Sequence, residues 1–205
     1  MSETANPWVS RASAPDTATR AVTRVVVPTT GPIGPQQGVP LPDPDDQLPL
    51  LRFAAPASVW WVGAHGGAGE TTLSSLVPGW RGTGHAWPVV PTAGSAPRAV
   101  VVARTHVRGL RAAQAAAAHW ASGRIQPLDL LGLVLVADAP GRLPKPLREL
   151  AQLVGGGFPR VWSVPWTESW RLGETPTLDS APREVTRLAR DLRSLADPGA
   201  TGTII

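Results

Sequence analysis

The stretch Ser58-Val59-Trp60-Trp61-Val62-Gly63-Ala64-His65-Gly66-Gly67-Ala68-Gly69-Glu70-Thr71-Thr72-Leu73 decides the fold. Its first seven residues are apolar enough for a strand buried on both faces, as the strands of parallel sheets are. The glycines that follow predict a tight turn. Glu70 opens a predicted helix that runs to about Val77, where Pro78-Gly79 stops it. A strand, a glycine-rich turn and a helix start, in that order, make an anion cradle: successive backbone N–H groups face one concavity and the helix end adds partial positive charge. A second reading of Glu70 needs no ligand, because a carboxylate in the first turn of a helix is stabilised by the free N–H groups there and can itself hold the loop together.

Downstream, strand and helix patterns alternate. His85–Val90 is the second expected strand, ending at Pro91, and Arg98–Arg104 the third. An alanine-rich helix is expected over Val107–Ala121, with Leu110, Ala113, Ala117 and Trp120 on one face and Gly123 at its C-cap. Leu128–Ala137 is the fourth strand, Asp138–Pro144 a loop, Pro146–Val154 a short helix closed by three glycines, and Arg160–Val164 the fifth strand. The last helix spans about Ala181–Ala196, with Pro182 near its start and Val185, Leu188, Leu192 and Leu195 as its apolar stripe. This alternation predicts an α/β fold over residues 56–205: a mostly parallel sheet of about five strands with helices on both faces. Ligands of such sheets sit beyond the strand C-termini, where the glycine turn, Arg104-Thr105-His106 and the Asp138 loop all fall.

Residues 1–55 are rich in Ser, Thr, Ala and Pro, lack periodicity, and are expected to form a disordered tail. One island, Val22-Thr23-Arg24-Val25-Val26-Val27-Pro28, interrupts it. Two readings stand open for that island: part of a solvated tail, or a strand added to a sheet edge of this chain or of a partner.

Composition sets the remaining bounds. The 205 residues contain no cysteine, which excludes disulfides and thiolate metal sites, and the four histidines show no paired ligand spacing, so no metal site is expected. The net charge is +4; residues 1–55 carry four arginines and five acids, so the positive excess belongs to the remainder. Lys145 is the sole lysine, tyrosine is absent and tryptophan occurs nine times, a skew that fits a GC-rich genome better than selection for chemistry. There is no apolar run of about 18 residues and no secretory pattern at the N-terminus, so the cytoplasm is the expected location.

The segment His65-Gly66-Gly67-Ala68-Gly69-Glu70-Thr71 resembles the deviant Walker A motif of MinD/ParA-like P-loop ATPases, Lys-Gly-Gly-x-Gly-Lys-[Ser/Thr]. The glycines and Thr71 match in register, and Thr72 follows. His65 and Glu70 stand where that family has its two lysines. The motif His-Gly-Gly-Ala-Gly-Glu-[Ser/Thr]-Thr also resembles that of uncharacterised actinobacterial proteins. Weaker similarity covers residues 58–195: Val100–Thr105 resembles a family strand, and Val164-Pro165 followed by Gly173-Glu174-Thr175-Pro176 resembles the family's Ile-Pro loop and Gly-x-Pro. The resemblance implies nucleotide contact at His65, Gly66, Gly67, Ala68, Gly69, Glu70, Thr71 and Thr72, ATP with magnesium beside Thr71 as cofactor, and a homodimer. It also places Asp138, Pro165, Trp166 and Trp170 where a base or a partner is held, with Ala137-Asp138 in place of the family's adenine-reading Asn.

Three departures bear on activity. Glu70 reverses the charge that pairs the β- and γ-phosphates; at ~4 Å and an effective dielectric of ~20, unit charges interact by about 4 kcal/mol, so the swing approaches twice that. The family's lysine before the glycines is lost at His65. Gly82–Val100 contains no Asp or Glu to hold magnesium or activate water.

Three functions are compatible with this pattern. The first is a non-hydrolysing binding or scaffold protein with a degenerate site and no cofactor, in plasmid partition or transfer machinery by family analogy. The second is an ATPase in which Arg104 or His65 substitutes for lysine. The third is an adaptor for nucleic acid or anionic membrane through Arg183, Arg187 and Arg190, which share one face of the last helix. Glu184 and Asp191 stand at pairing distance on that helix, which favours a solvated charged face. Trp162 reads as core, while Trp166 and Trp170 suit either a stacking surface or the cover of a sheet end.

Overall fold

A computed structural model describes residues 27–91, 95–125 and 127–197. The chain is α/β. Its main sheet has five parallel strands in the order β3-β2-β5-β6-β7: β2 is Val59–Gly63, β3 Trp80–Gly82, β5 Arg98–Arg104, β6 Asp129–Val136 and β7 Val161–Val164. A separate two-stranded parallel ribbon joins β1 (Leu50–Arg52) to β4 (Trp87–Val89). The helices are α1 (Glu70–Ser74), α2 (Val107–Ala121), α3 (Lys145–Gly155), α4 (Glu168–Arg171) and α5 (Arg183–Ala196).

Period-two alternation along the central strands divides the core into two layers. Trp60, Val62, Val101, Ala103, Leu133 and Leu135 face α2 and α3, in a cluster that Trp87, Trp120 and Phe158 complete. Val59, Trp61, Val100, Val102, Val134 and Val136 face the other way, onto Leu73 of α1 and Val185, Leu188 and Leu192 of α5. The central strands are apolar on both faces because both are covered. A bulge shifts the β5–β6 register between Ala99 and Val100 and brings in Gly132, where a Cβ would collide with the Arg160 carbonyl and the Trp162 ring.

β5 and α2 occupy the residues expected of them. His106 caps α2 through Nδ1, which accepts the Gly109 N–H at 2.9 Å, and Gly123 closes it in a left-handed turn with φ +79°. The expected second strand needs correction. The apolar run around Trp87 does form a strand, β4, but it pairs with β1 outside the main sheet, whose edge place belongs to Trp80–Gly82. The expected Glu70–Val77 helix stops at Ser74; the Ser74 and Ser75 hydroxyls donate to the Thr71 and Thr72 carbonyls, a local pairing that competes with helix continuation.

Residues 27–55, within the expected tail, run along the domain. Thr30 N–H donates to the Pro159 carbonyl and Gln36 N–H to the Ala121 carbonyl; Val39, Leu48 and Phe53 pack on the first core layer. Gly31 lies so close to the Gly156 and Phe158 carbonyls that a Cβ would collide with both. Of the Val22–Pro28 island, only Val27 and Pro28 are among the described residues, and Val27 packs on the second core layer. Among the described residues no helix is long and apolar enough to cross a membrane.

Candidate functional site

The glycine loop leaves the C-terminal end of β2 and enters α1, as its sequence requires. Gly67 (φ +72°) and Gly69 (φ +109°) take left-handed conformations that other residues rarely adopt, and Gly69 is the N-cap of α1. Ala68 is fully buried beneath the loop, while Gly66, Gly67 and Thr71 are exposed and Thr72 is half-buried.

Glu70 turns inward. Only 8% exposed, its carboxylate accepts the Gly69 N–H at 3.1 Å on Oε2 and folds back over the end of β2. A Cβ at Gly63 would fall 2.9 Å from that Oε2 and 3.0 Å from His85 Nδ1, so both side chains fill room left by the missing Gly63 side chain. His85 Nδ1 lies 3.2 Å from the Gly63 carbonyl oxygen, the geometry of a ring N–H donating to it. The acid thus lies against the loop backbone, where the free N–H groups of a helix start favour negative charge.

His65 is held at both ring nitrogens. Nε2 accepts the Arg104 backbone N–H at 3.0 Å, so the ring proton sits on Nδ1 and donates to the Gly66 carbonyl at 2.9 Å. The bond accepted at Nε2 requires the neutral ring. Burial first, then the nearby His106, His85 and Arg104, hold its pKa below the usual histidine value, against the upward pull of the Gly66 bond. The ring stands 5.0 Å from that of His106, and Gly109 makes room for it: a Cβ there would come within 2.7 Å of His65 Nε2 and would strike the Arg104 carbonyl. Arg104 completes the arrangement, its Nε donating to the Gly67 carbonyl at 3.3 Å and its guanidinium to the Ala137 carbonyl at 3.0 Å. It ties the loop to the end of β6.

The structure therefore gathers His65, Glu70 and Arg104 around the glycine loop and adds Gly63, His85 and Gly109, which sequence reasoning missed. His85 lies 20 residues after His65, and its role exists only once β2 and β3 are paired. Asp138 N–H donates to Thr105 Oγ1 at 3.2 Å, which joins the ends of β5 and β6. Pro165, Trp166 and Trp170 line a pocket of about 160 Å³ with Gly69, Thr72 and Arg104, so this part of the expected base or partner site does adjoin the loop. Trp166 Nε1 donates to Glu168 at 2.6 Å, whereas the buried Nε1 of Trp170 has no partner among the described residues. Trp162 is core, and its Nε1 donates to the buried Asp191 at 3.2 Å.

Three arginines of α5 stand beside carboxylates of their own helix. Arg187 and Arg190 approach Asp191 at 3.9 and 3.6 Å, and Arg183 approaches Glu184 at 3.3 Å. Arg108 and Arg111 line an open depression beside α2 that His65 of the glycine loop also borders. A cleft of about 840 Å³ lies elsewhere on the same sheet edge, between β7, α3 and the loop that contains Asp138; Leu135, Leu143, Leu147, Ala151 and Val161 give it an apolar wall.

No curated protein and no solved structure matches the chain. A family model does: that of a family of unknown function, DUF6668, which matches residues 57–187, more than half of the chain, from the entry to β2 into α5. The match takes in the whole main sheet and the glycine loop, and the protein belongs to the DUF6668 family.

Proposed function

We propose that this protein is a non-hydrolysing binding or scaffold protein of the cytoplasm, built on a MinD/ParA-like P-loop architecture whose phosphate seat is filled by its own carboxylate. One observation carries the reading: Glu70, buried and bonded to the Gly69 N–H, occupies the loop where a triphosphate would need a lysine. The residues available to replace that lysine are engaged. His65 uses one ring nitrogen within the loop and the other on the Arg104 N–H of β5, and the Arg104 side chain donates to two backbone carbonyls. This favours the scaffold over an ATPase that draws on either residue. The carboxylates beside Arg183, Arg187 and Arg190 likewise favour a solvated helix over an adaptor for nucleic acid or membrane. Function then resides in protein contacts, by analogy in partition or transfer machinery.

Titration calorimetry with ATP and magnesium, on the wild type and on Glu70→Lys, tests this. The wild type is expected to give no heat of binding up to millimolar ATP, and the variant, if its melting curve shows it folded, to gain measurable affinity. Micromolar binding by the wild type would overturn the reading.

A further inference from the structure

Where the glycine loop meets the segment after β7, the described residues enclose the smaller cavity of about 160 Å³. Its wall is made differently from that of the 840 Å³ cleft. Arg104 of β5 and Arg171 of α4 both line it, with the indoles of Trp166 and Trp170 and the Thr72 side chain. Among the described residues no carboxylate lines it. Glu168, the acid of α4, is engaged by the Trp166 indole N–H at 2.6 Å. Two guanidinium groups with no carboxylate between them make the wall positive.

The polar groups of this wall are mostly donors. A guanidinium carries five N–H groups and accepts nothing. Arg104 uses its Nε and one terminal nitrogen on the Gly67 and Ala137 carbonyls, which anchors it and leaves further N–H groups for a ligand. The exposed Arg171 side chain has no hydrogen-bond or ion-pair partner among the described residues. Trp170 Nε1 is buried, and it too lacks an acceptor among them. A buried donor without an acceptor is rare in a folded protein, and a bound acceptor would satisfy it. The ligand that complements such a wall is rich in acceptors and negatively charged. The two indoles add flat apolar faces, which suit a flat ring. Size narrows the class further: a cavity of about 150 Å³ holds one benzene ring. At about 160 Å³ this one admits a single ring with a small substituent, and is too small for a nucleoside.

We propose that this cavity is a binding site for a small aromatic carboxylate, with its ring against the indoles and its carboxylate accepting from Arg171 and the Trp170 N–H, while Arg104 adds charge. The inference stands independently of the scaffold reading, which titration with ATP decides, because neither Glu70 nor His65 lines the cavity.

Sodium benzoate is the probe, titrated into the full chain and followed by calorimetry and by the indole N–H signals in heteronuclear NMR. The Trp170 signal is the one missing from Trp170→Phe. Benzoate is expected to bind with a dissociation constant below about 1 mM and to move that signal as it saturates. Arg171→Gln is expected to melt with the wild type and to weaken binding at least about tenfold. Trp170→Phe keeps a ring and loses the donor, and should weaken binding at least about threefold. Inorganic phosphate, a charge without a ring, and benzyl alcohol, a ring without a charge, are each expected to bind at least about tenfold more weakly than benzoate. The absence of heat up to about 10 mM benzoate would overturn the proposal. Binding that leaves the Trp170 signal in place, or that survives either substitution, would overturn it too, as would phosphate or benzyl alcohol that matches benzoate. If Trp170→Phe melts early, Arg171→Gln alone decides.

Discussion

Two parts of one sheet edge are finished in opposite ways. Beyond β2 and β5, the glycine loop is packed with its own side chains: Glu70 fills the space over Gly63, His65 is bonded at both ring nitrogens, and Arg104 ties the loop to β6. Beyond β6 and β7, the described residues leave a cleft of about 840 Å³ with apolar walls. The first region uses its polar groups for internal order, and the second presents apolar surface that no described residue covers. A protein that binds through contacts with other chains is expected to do so at the second.

The contrast is tested first where packing is tightest. Gly109→Ala puts a methyl group against His65 and the Arg104 carbonyl, and is expected to cost about 2–3 kcal/mol in urea unfolding despite alanine's better helix propensity. Unchanged stability would mean that the loop is not held as described. Next, Arg104→Ala removes two bonds to backbone carbonyls and should cost about 1–2 kcal/mol by the same measurement.

The neutral His65 makes a pH prediction. Its folded pKa lies below the ordinary value of about 6.5, so the folded state resists the proton that the unfolded state accepts. The sign follows: stability is full above about pH 6.5 and falls as pH drops through that value toward the folded pKa. The buried His119, which accepts the Trp87 indole N–H at 3.3 Å and whose pKa burial also lowers, adds to the same slope. His65→Gln, whose amide oxygen can take the Arg104 N–H, should therefore flatten but not abolish the loss measured between pH 6.5 and 5. The smallest effect belongs to the open side: Leu147→Phe, which extends into the cleft, should change stability by no more than about 0.5 kcal/mol, because no described residue stands there to resist the added volume.

The parts of this fold legible in sequence were those whose signals are local. β5 is a run of β-branched and small residues with an arginine at each end, and α2 is an alanine-rich stripe with a capping residue before it and a glycine after it; both occupy their expected residues. β3 escaped because Trp80-Arg81-Gly82 contributes a single buried side chain, too little for a pattern. The Trp87 run was visible as a strand, but no periodicity states which strand a segment will pair with. At the glycine loop, His65 and Glu70 could be named from the motif, whereas Gly63, His85 and Gly109 matter only through space, and a lone glycine at a strand end or in the first turn of a helix carries no sequence signature of the side chain it admits.

The β1–β4 ribbon bears on where this protein can be cut. The family match begins at residue 57, after β1, yet Leu50–Arg52 supplies the hydrogen-bonding partner of β4, and β4 carries the fully buried Trp87. A shortened chain starting at Ala57 would keep every strand of the main sheet and still leave the Trp87 backbone without its ladder. The smallest autonomous piece therefore begins upstream of Leu50, and the proline-rich leader is, in part, a clasp.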